Sequence, residues 1–202
     1  MTESSYRQNI REYIEREAIP REKLGHQPRL YALTKEIGAG QTYDDDIVFA
    51  AVWLHDLGVF TGHRPEDPAV LARWNHVPYT MERAQEILRA YGFPEAKIPA
   101  VVEAIRTHQP AFEPETIEGT IVRDADILEQ LGAVAVLRTV CKVGRDTRFT
   151  LFTESVNSLR HSLDTLPDQI RLESTKKLAK PKIDALRAFL EAVDAESYDA
   201  LW

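Results

Sequence analysis

The chain reads as an all-α protein. Apolar residues recur at three- and four-residue spacing through almost every segment, and no run alternates apolar and polar residues as a half-buried strand would. Glycine, proline and short acidic side chains stand where those periodic runs begin and end, as helix punctuation requires.

The elements follow in order. Tyr6 to Glu17 forms a first helix ended by Pro20, and Gln27 to Ile37 a second ended by Gly38 and Gly40. Asp44, Asp45 and Asp46 supply an N-cap and first-turn acids for a third helix through Leu57, in which Ile47, Val48, Ala51, Val52 and His55 share one face. Gly58 is its expected stop. Thr61 to Pro78, rich in Pro, Gly, His and charge, reads as a long irregular connection of the kind that lines clefts. Thr80 then caps a helix through Tyr91 that Gly92 closes. Pro94 opens a short turn, and Pro99 suits the first turn of a helix through Arg106 whose apolar face runs on to His108. Ile117 to Leu131 and Ala133 to Val143 are two helices broken near Gly132, and Phe149 to Leu163 and Ser174 to Ala192 complete the set.

With 202 residues and 23.0 kDa, the chain suffices for one sizeable core, so a single domain is expected. A net charge of -7 opposes the broad basic field of a nucleic-acid polymer binder, yet leaves room for a small phosphorylated substrate beside a metal and a few arginines. Cys141 is the one cysteine, which excludes an internal disulfide and a thiolate zinc cluster and fits a reducing, cytoplasmic setting. The start, Met1 to Asn9, is polar, and the richest apolar stretches, Phe49 to Leu54 and Leu131 to Leu137, fall far short of the roughly 18 residues of a membrane span. Lys176, Lys177, Lys180 and Lys182 in the last helix read as a solvated face rather than a phosphate site.

The chemistry concentrates in a few side chains. His55-Asp56 pairs an imidazole with a carboxylate at a helix end, where both are costly to bury without a partner and a divalent cation satisfies both. Successive helical residues point about 100 degrees apart, so the two share one ion only beside the helix end, where the last carbonyls also favour a cation. His26 and an aspartate of Asp124-Ala125-Asp126 can complete the set. Those two aspartates project to nearly opposite sides of a helix, and apolar company at Leu128 and Leu131 favours Asp124 on spacing alone. Mixed nitrogen and oxygen donors suit Mn, Fe, Zn, Co or Ni, and Mg with several waters. His76 and His108 can serve the substrate, support the ligands or bind a second ion. His63 and His161 have no such setting and are left on the surface.

In this order, His26, His55-Asp56 and then a distant Asp, the chain resembles the HD superfamily of metal-dependent phosphohydrolases. The likeness extends to Arg29-Leu30 after His26, to Ala50 through Leu54 before the pair, and to Arg83-Ala84, Ile87-Leu88 and Gly92-Phe93-Pro94 after His76. It continues at Ile105 to His108, at Asp124 to Ala133, and at Thr175 to Ala179. The small stand-alone bacterial HD hydrolases of nucleotides are the most similar subgroup. The resemblance implies an HD-type helical bundle with its metal site in the core cleft, the HD core at about 22–145 and C-terminal helices at 146–202. Its pattern selects Asp126 as the fourth ligand, against the spacing argument, with Asp124 as a support.

The resemblance further implies hydrolysis of a phosphate bond in a small nucleotide by metal-activated water. A (d)NTP cut to monophosphate and pyrophosphate stands ahead of a 5'-monophosphate ester. Asp56, His76 and His108 are the expected catalytic groups, Arg29 and Arg64 the expected phosphate contacts, and Mn the leading ion. Val59, three residues after Asp56, replaces the Glu of many monophosphatases of the family and the Lys of its oxygenases and cyclic-dinucleotide phosphodiesterases. The Gly-Tyr-Pro signature of the latter is absent too. A binding or regulatory module that holds metal and nucleotide without turnover is the reading of another class, and a homodimer is compatible with either.

Overall fold

The structure, a computed structural model, describes residues 5–145, 149–198 and 200–201. The polar start at 1–4 and the opening of the expected C-terminal stretch at 146–148 lie outside the described residues. Those described contain ten α-helices and no strand, only an isolated bridge between Thr61 and Arg64, so the all-α class holds. No described helix is long and apolar enough to cross a membrane.

The chain forms two compact units, Met1–Ala125 and Asp126–Trp202. In the first, α1 (Ser5–Glu17) and α2 (His26–Ile37) both pack on α3 (Asp45–Leu54). After the short helix α4 (Pro68–Leu71), α5 (His76–Ala90) packs on α6 (Ile98–Thr107), and α6 packs on α3. The helix α7 (Ile117–Glu129) crosses the boundary between the units. The second unit continues with α8 (Ala133–Val140), α9 (Phe152–Thr165) and α10 (Glu173–Ser197), each packed on the other two.

Being enclosed by α1, α2 and α6 explains the composition of α3. Ile47 through Leu54 are all buried, so it is a core helix apolar on every side rather than the one-faced helix its spacing suggests. Phe49 and Leu54, both fully buried, each contribute roughly 1.5–3 kcal/mol of hydrophobic stabilisation. Its start is set by charge. Asp44 caps it by accepting from the Asp46 amide at 3.0 Å, and Arg7 of α1 reaches Asp46 Oδ1 at 2.9 Å and Asp45 Oδ2 at 3.0 Å. Lys97 binds Asp44 and Asp46 from the other side, at 2.7 and 2.9 Å.

Two boundaries beside the histidines differ from expectation, each for a local reason. The helix ends at Leu54, and His55, Asp56 and the 3-10 turn Leu57–Val59 form a corner instead of a final helical turn. Gly58 is therefore no C-terminal stop. A Cβ there would lie 2.9 Å from His76 Cβ and 3.0 Å from the His76 carbonyl, so glycine permits the corner to touch α5. The irregular connection ends early, because Asn75 caps α5 by accepting from the Val77 amide at 3.1 Å. His76 thus opens a helix, and Thr80, the expected cap, sits inside it with its hydroxyl accepting from the Gly58 amide at 3.1 Å.

In the second unit the α7 to α8 break falls at Gly132, whose φ of 83° favours glycine and whose open side faces Lys182 of α10. Lys176, Lys177 and Lys180 are exposed, and Lys176 and Lys180 pair with Glu173 and Asp184 at 2.7 and 2.8 Å. These three form the solvated face expected of them, whereas Lys182 is half-buried beside Gly132.

Candidate metal centre

The first unit gathers His26, His55, Asp56, His76 and His108. His26 opens α2 instead of standing in a loop, and is buried at 5% exposure. His55 closes α3 and His108 closes α6, with exposures of 0% and 2%. Four separate helix ends therefore deliver imidazoles to one place, and the corner after α3 delivers the carboxylate.

Two hydrogen bonds settle the tautomers. His55 Nδ1 donates to the Val52 carbonyl at 2.9 Å, and His108 Nδ1 donates to the Ile105 carbonyl at 2.7 Å. A carbonyl can only accept, so in the neutral rings Nε2 keeps its lone pair for a ligand. His55 Nε2 lies 3.2 Å from His26 Nε2, and these nitrogens stand 3.5 and 3.8 Å from Asp56 Oδ2. On the other carboxylate oxygen, His76 Nε2 lies 3.3 Å from Oδ1.

Asp56 thus belongs to two groups of potential ligands, one with His26 and His55 and one with His76 and His108, the atoms of each lying within 4.8 Å of one another. Burial pushes its carboxyl up, but the His55 ring, by charge and hydrogen bonding, together with His76 and His26, holds it well below the usual range. It is a carboxylate at neutral pH.

The donor set fits a divalent transition ion. Adjacent imidazole nitrogens that both present lone pairs repel unless a proton or a cation lies between them. His76 Nε2 is moreover buried, and its 3.3 Å approach to Asp56 Oδ1 falls short of hydrogen-bond geometry, so coordination would satisfy it.

The remaining expected residues fall as follows. Asp124 is fully buried in the first unit, with Arg123 Nη1 3.9 Å from its Oδ1. Asp126 is half-buried in the second, and its Oδ2 accepts from Gln130 Nε2 at 3.2 Å. Arg29, half-buried on α2, folds its guanidinium over Gly25 beside His26, where a Cβ at Gly25 would be 2.7 Å from Nη1. Arg64 is half-buried in the connection that leaves the corner. His161 is exposed as expected, whereas His63 is not on the surface, since its side chain is 9% exposed. Neither periodicity nor motif marked His63; its neighbours Gly62 and Arg64 read as loop.

An all-α chain that brings His, His-Asp and further histidines to one cluster defines a class of helical domains with a candidate metal centre. The HD domain model matches residues 24–131, more than half of the chain, and the chain belongs to the HD domain family. Solved structures with the same fold include the Lin1889 protein of Listeria innocua, with a TM-score of 0.72 and 20% identity over 100% of both chains. Another is Bacillus subtilis YpgQ in complex with ADP, with a TM-score of 0.73 and 20% identity over 95% of this chain and 94% of that one. An HD-superfamily hydrolase of Bacillus thuringiensis aligns at TM-score 0.68 and 19% identity over 96% and 97%. A comparison with curated proteins finds no match.

Proposed function

We propose that this protein is a metal-dependent phosphohydrolase acting on a small nucleotide, and that its preferred bond is the anhydride that splits a (d)NTP into monophosphate and pyrophosphate. The observation that carries the reading is the five-residue cluster on Asp56, with nitrogen and oxygen donors and no sulfur. A structural relative captured with ADP supports the nucleotide.

His26, His55 and Asp56 would hold the ion, and the family pattern makes Asp126, with Asp124 as the alternative, the expected remaining ligand. Bound there, a divalent ion supplies Lewis acidity toward a phosphoryl oxygen and makes a water acidic enough to attack at neutral pH. The carbonyls of Val52 and Ile105 keep His55 and His108 from rotating as charge builds on the phosphate. Asp56, an anion, orients the attacking water through its carboxylate. As the water oxygen loses its proton to solvent and bonds to phosphorus while the bridging P–O bond breaks, His76, or His108 when its ring is protonated at both nitrogens, gives a proton to the departing oxygen. Arg29 and Arg64 neutralise the substrate's phosphates.

Protein stripped with a chelator and assayed with Mn against a panel of nucleotides is expected to release pyrophosphate, seen by phosphorus NMR. Free phosphate from monophosphates would shift the bond to the ester. Absence of turnover with every divalent ion and nucleotide would leave a binding module.

A second reading concerns stoichiometry. The second ligand group, His76 and His108 with Asp56, would hold a second ion. Metal analysis distinguishes one equivalent from two.

A further inference from the structure

One group of polar side chains next to the cluster takes no part in the chemistry above. His63 Nε2 lies 3.2 Å from Glu17 Oε2, and Nδ1 lies 2.8 Å from the Tyr79 hydroxyl. A carboxylate only accepts, so Nε2 carries the proton and the neutral ring accepts at Nδ1 from the tyrosine O–H. Both ring nitrogens of a nearly buried imidazole are thereby used, one on α1 and one on α5.

The placement of these partners gives the arrangement its meaning. Glu17 is the last residue of α1, and Tyr79 stands one turn after His76 on α5. Between Asp56 and His63 the chain is gripped from the same two sides. On the α5 side, Trp74 Nε1 donates to the Gly58 carbonyl at 2.9 Å, and the Gly58 amide donates to Thr80 Oγ1 at 3.1 Å. On the side that follows α1, Lys23 Nζ donates to the Val59 carbonyl at 2.7 Å, and the Thr61 amide donates to the Ile19 carbonyl at 2.9 Å. His63 bonds to both sides at once and closes the clamp at its far end.

The clamp bears on the metal ligands because the 3.3 Å approach of His76 Nε2 to Asp56 Oδ1 is set by how the corner lies on α5. The contact between Gly58 and His76 leaves no slack for a slide, and the chain beyond it is irregular until α4. We infer that His63, through Glu17 and Tyr79, is a positioning residue of the metal centre: it locks the corner that carries Asp56 against the helix that carries His76. The inference rests on the metal-centre reading above.

The test uses Co2+ as the probe, because its visible absorption reports ligand geometry while titration of the purified full-length protein reports affinity. His63→Ala and Tyr79→Phe are compared with wild type and with His63→Gln, whose amide can donate to Glu17 and accept from Tyr79. Tyr79→Phe keeps the ring that packs on Trp74, with centroids 6.0 Å apart, and removes only the hydroxyl. Expected are a loss of Co2+ affinity of about tenfold in His63→Ala and Tyr79→Phe, a changed visible spectrum in both, and substantial recovery in His63→Gln. Wild-type affinity and spectrum in His63→Ala and Tyr79→Phe, whatever their melting temperatures, would overturn the positioning role. A wild-type protein that takes up no Co2+ would instead overturn the metal-centre reading and this inference with it.

Discussion

Asp56 is the side chain on which both ligand groups converge, one oxygen toward His26 and His55 and the other toward His76. Asp56→Asn keeps the shape and removes the charge, so bound metal is expected to fall at least about tenfold with the fold intact, as metal analysis and circular dichroism would report. The fourth ligand separates two arguments at single-residue resolution. Spacing selects Asp124, which is fully buried and in the unit that holds the cluster; the family pattern selects Asp126, which is half-buried and bonded to Gln130. Metal content of Asp124→Asn against Asp126→Asn decides, since only the ligand's variant loses the ion and the other retains it. His55-Asp56 was legible in the sequence because adjacent ionisable groups at a helix end need a reason to exist, and His26 because the order His, His-Asp, Asp matches the family pattern. His63 was not, since what engages it comes from Glu17 and Tyr79, residues that no local pattern connects to it.

At the scale of elements, two junctions place the site, and each yields a measurable consequence. Gly58 has no room for a side chain where the corner meets α5, so Gly58→Ala is expected to cost about 1–3 kcal/mol in a denaturant melt and to loosen metal binding by displacing His76. The second junction joins α1 to the start of α3. Burial alone would raise the carboxyl of Asp46, but Lys97, Arg7 and Tyr6 pull it down to about 2. Its folded value lies below its unfolded one, so the stabilisation is complete above the unfolded value and disappears as pH falls toward about 2. The contribution is no more than about 2.5 kcal/mol before screening, and less at a partly exposed site. Asp46→Asn should therefore melt below wild type at neutral pH, with the gap closing through the acid range; a gap constant with pH would assign the loss to packing. Helix existence was readable from the 3.6-residue period except for α4, a single turn inside the segment read as irregular. The missed boundaries, Leu54 and Asn75, fall where tertiary contacts end or begin a helix: a corner against α5 in one case and a side-chain cap in a polar run in the other.

For the whole molecule, the division at Ala125 means that a bound ion need not stabilise all residues alike. His26, His55, Asp56, His76 and His108 all lie in the unit Met1–Ala125, and the ends of α2, α3, α5 and α6 there converge on them. A ligand that binds only the folded form adds roughly 2.7 kcal/mol at a hundredfold excess over its dissociation constant. In a chain of this length that raises a melting temperature by roughly 5–10 °C. If the units unfold as separate steps, only one transition moves, and a single melting temperature is the wrong quantity to follow. Hydrogen exchange resolves the matter residue by residue. Addition of Mn is expected to slow exchange at the start of α2, at the end of α3, at the start of α5 and at the end of α6, and to leave the amides of α9 and α10 unchanged. His55→Ala should abolish that protection. Equal protection of α9 and α10 would show instead that the two units open as one.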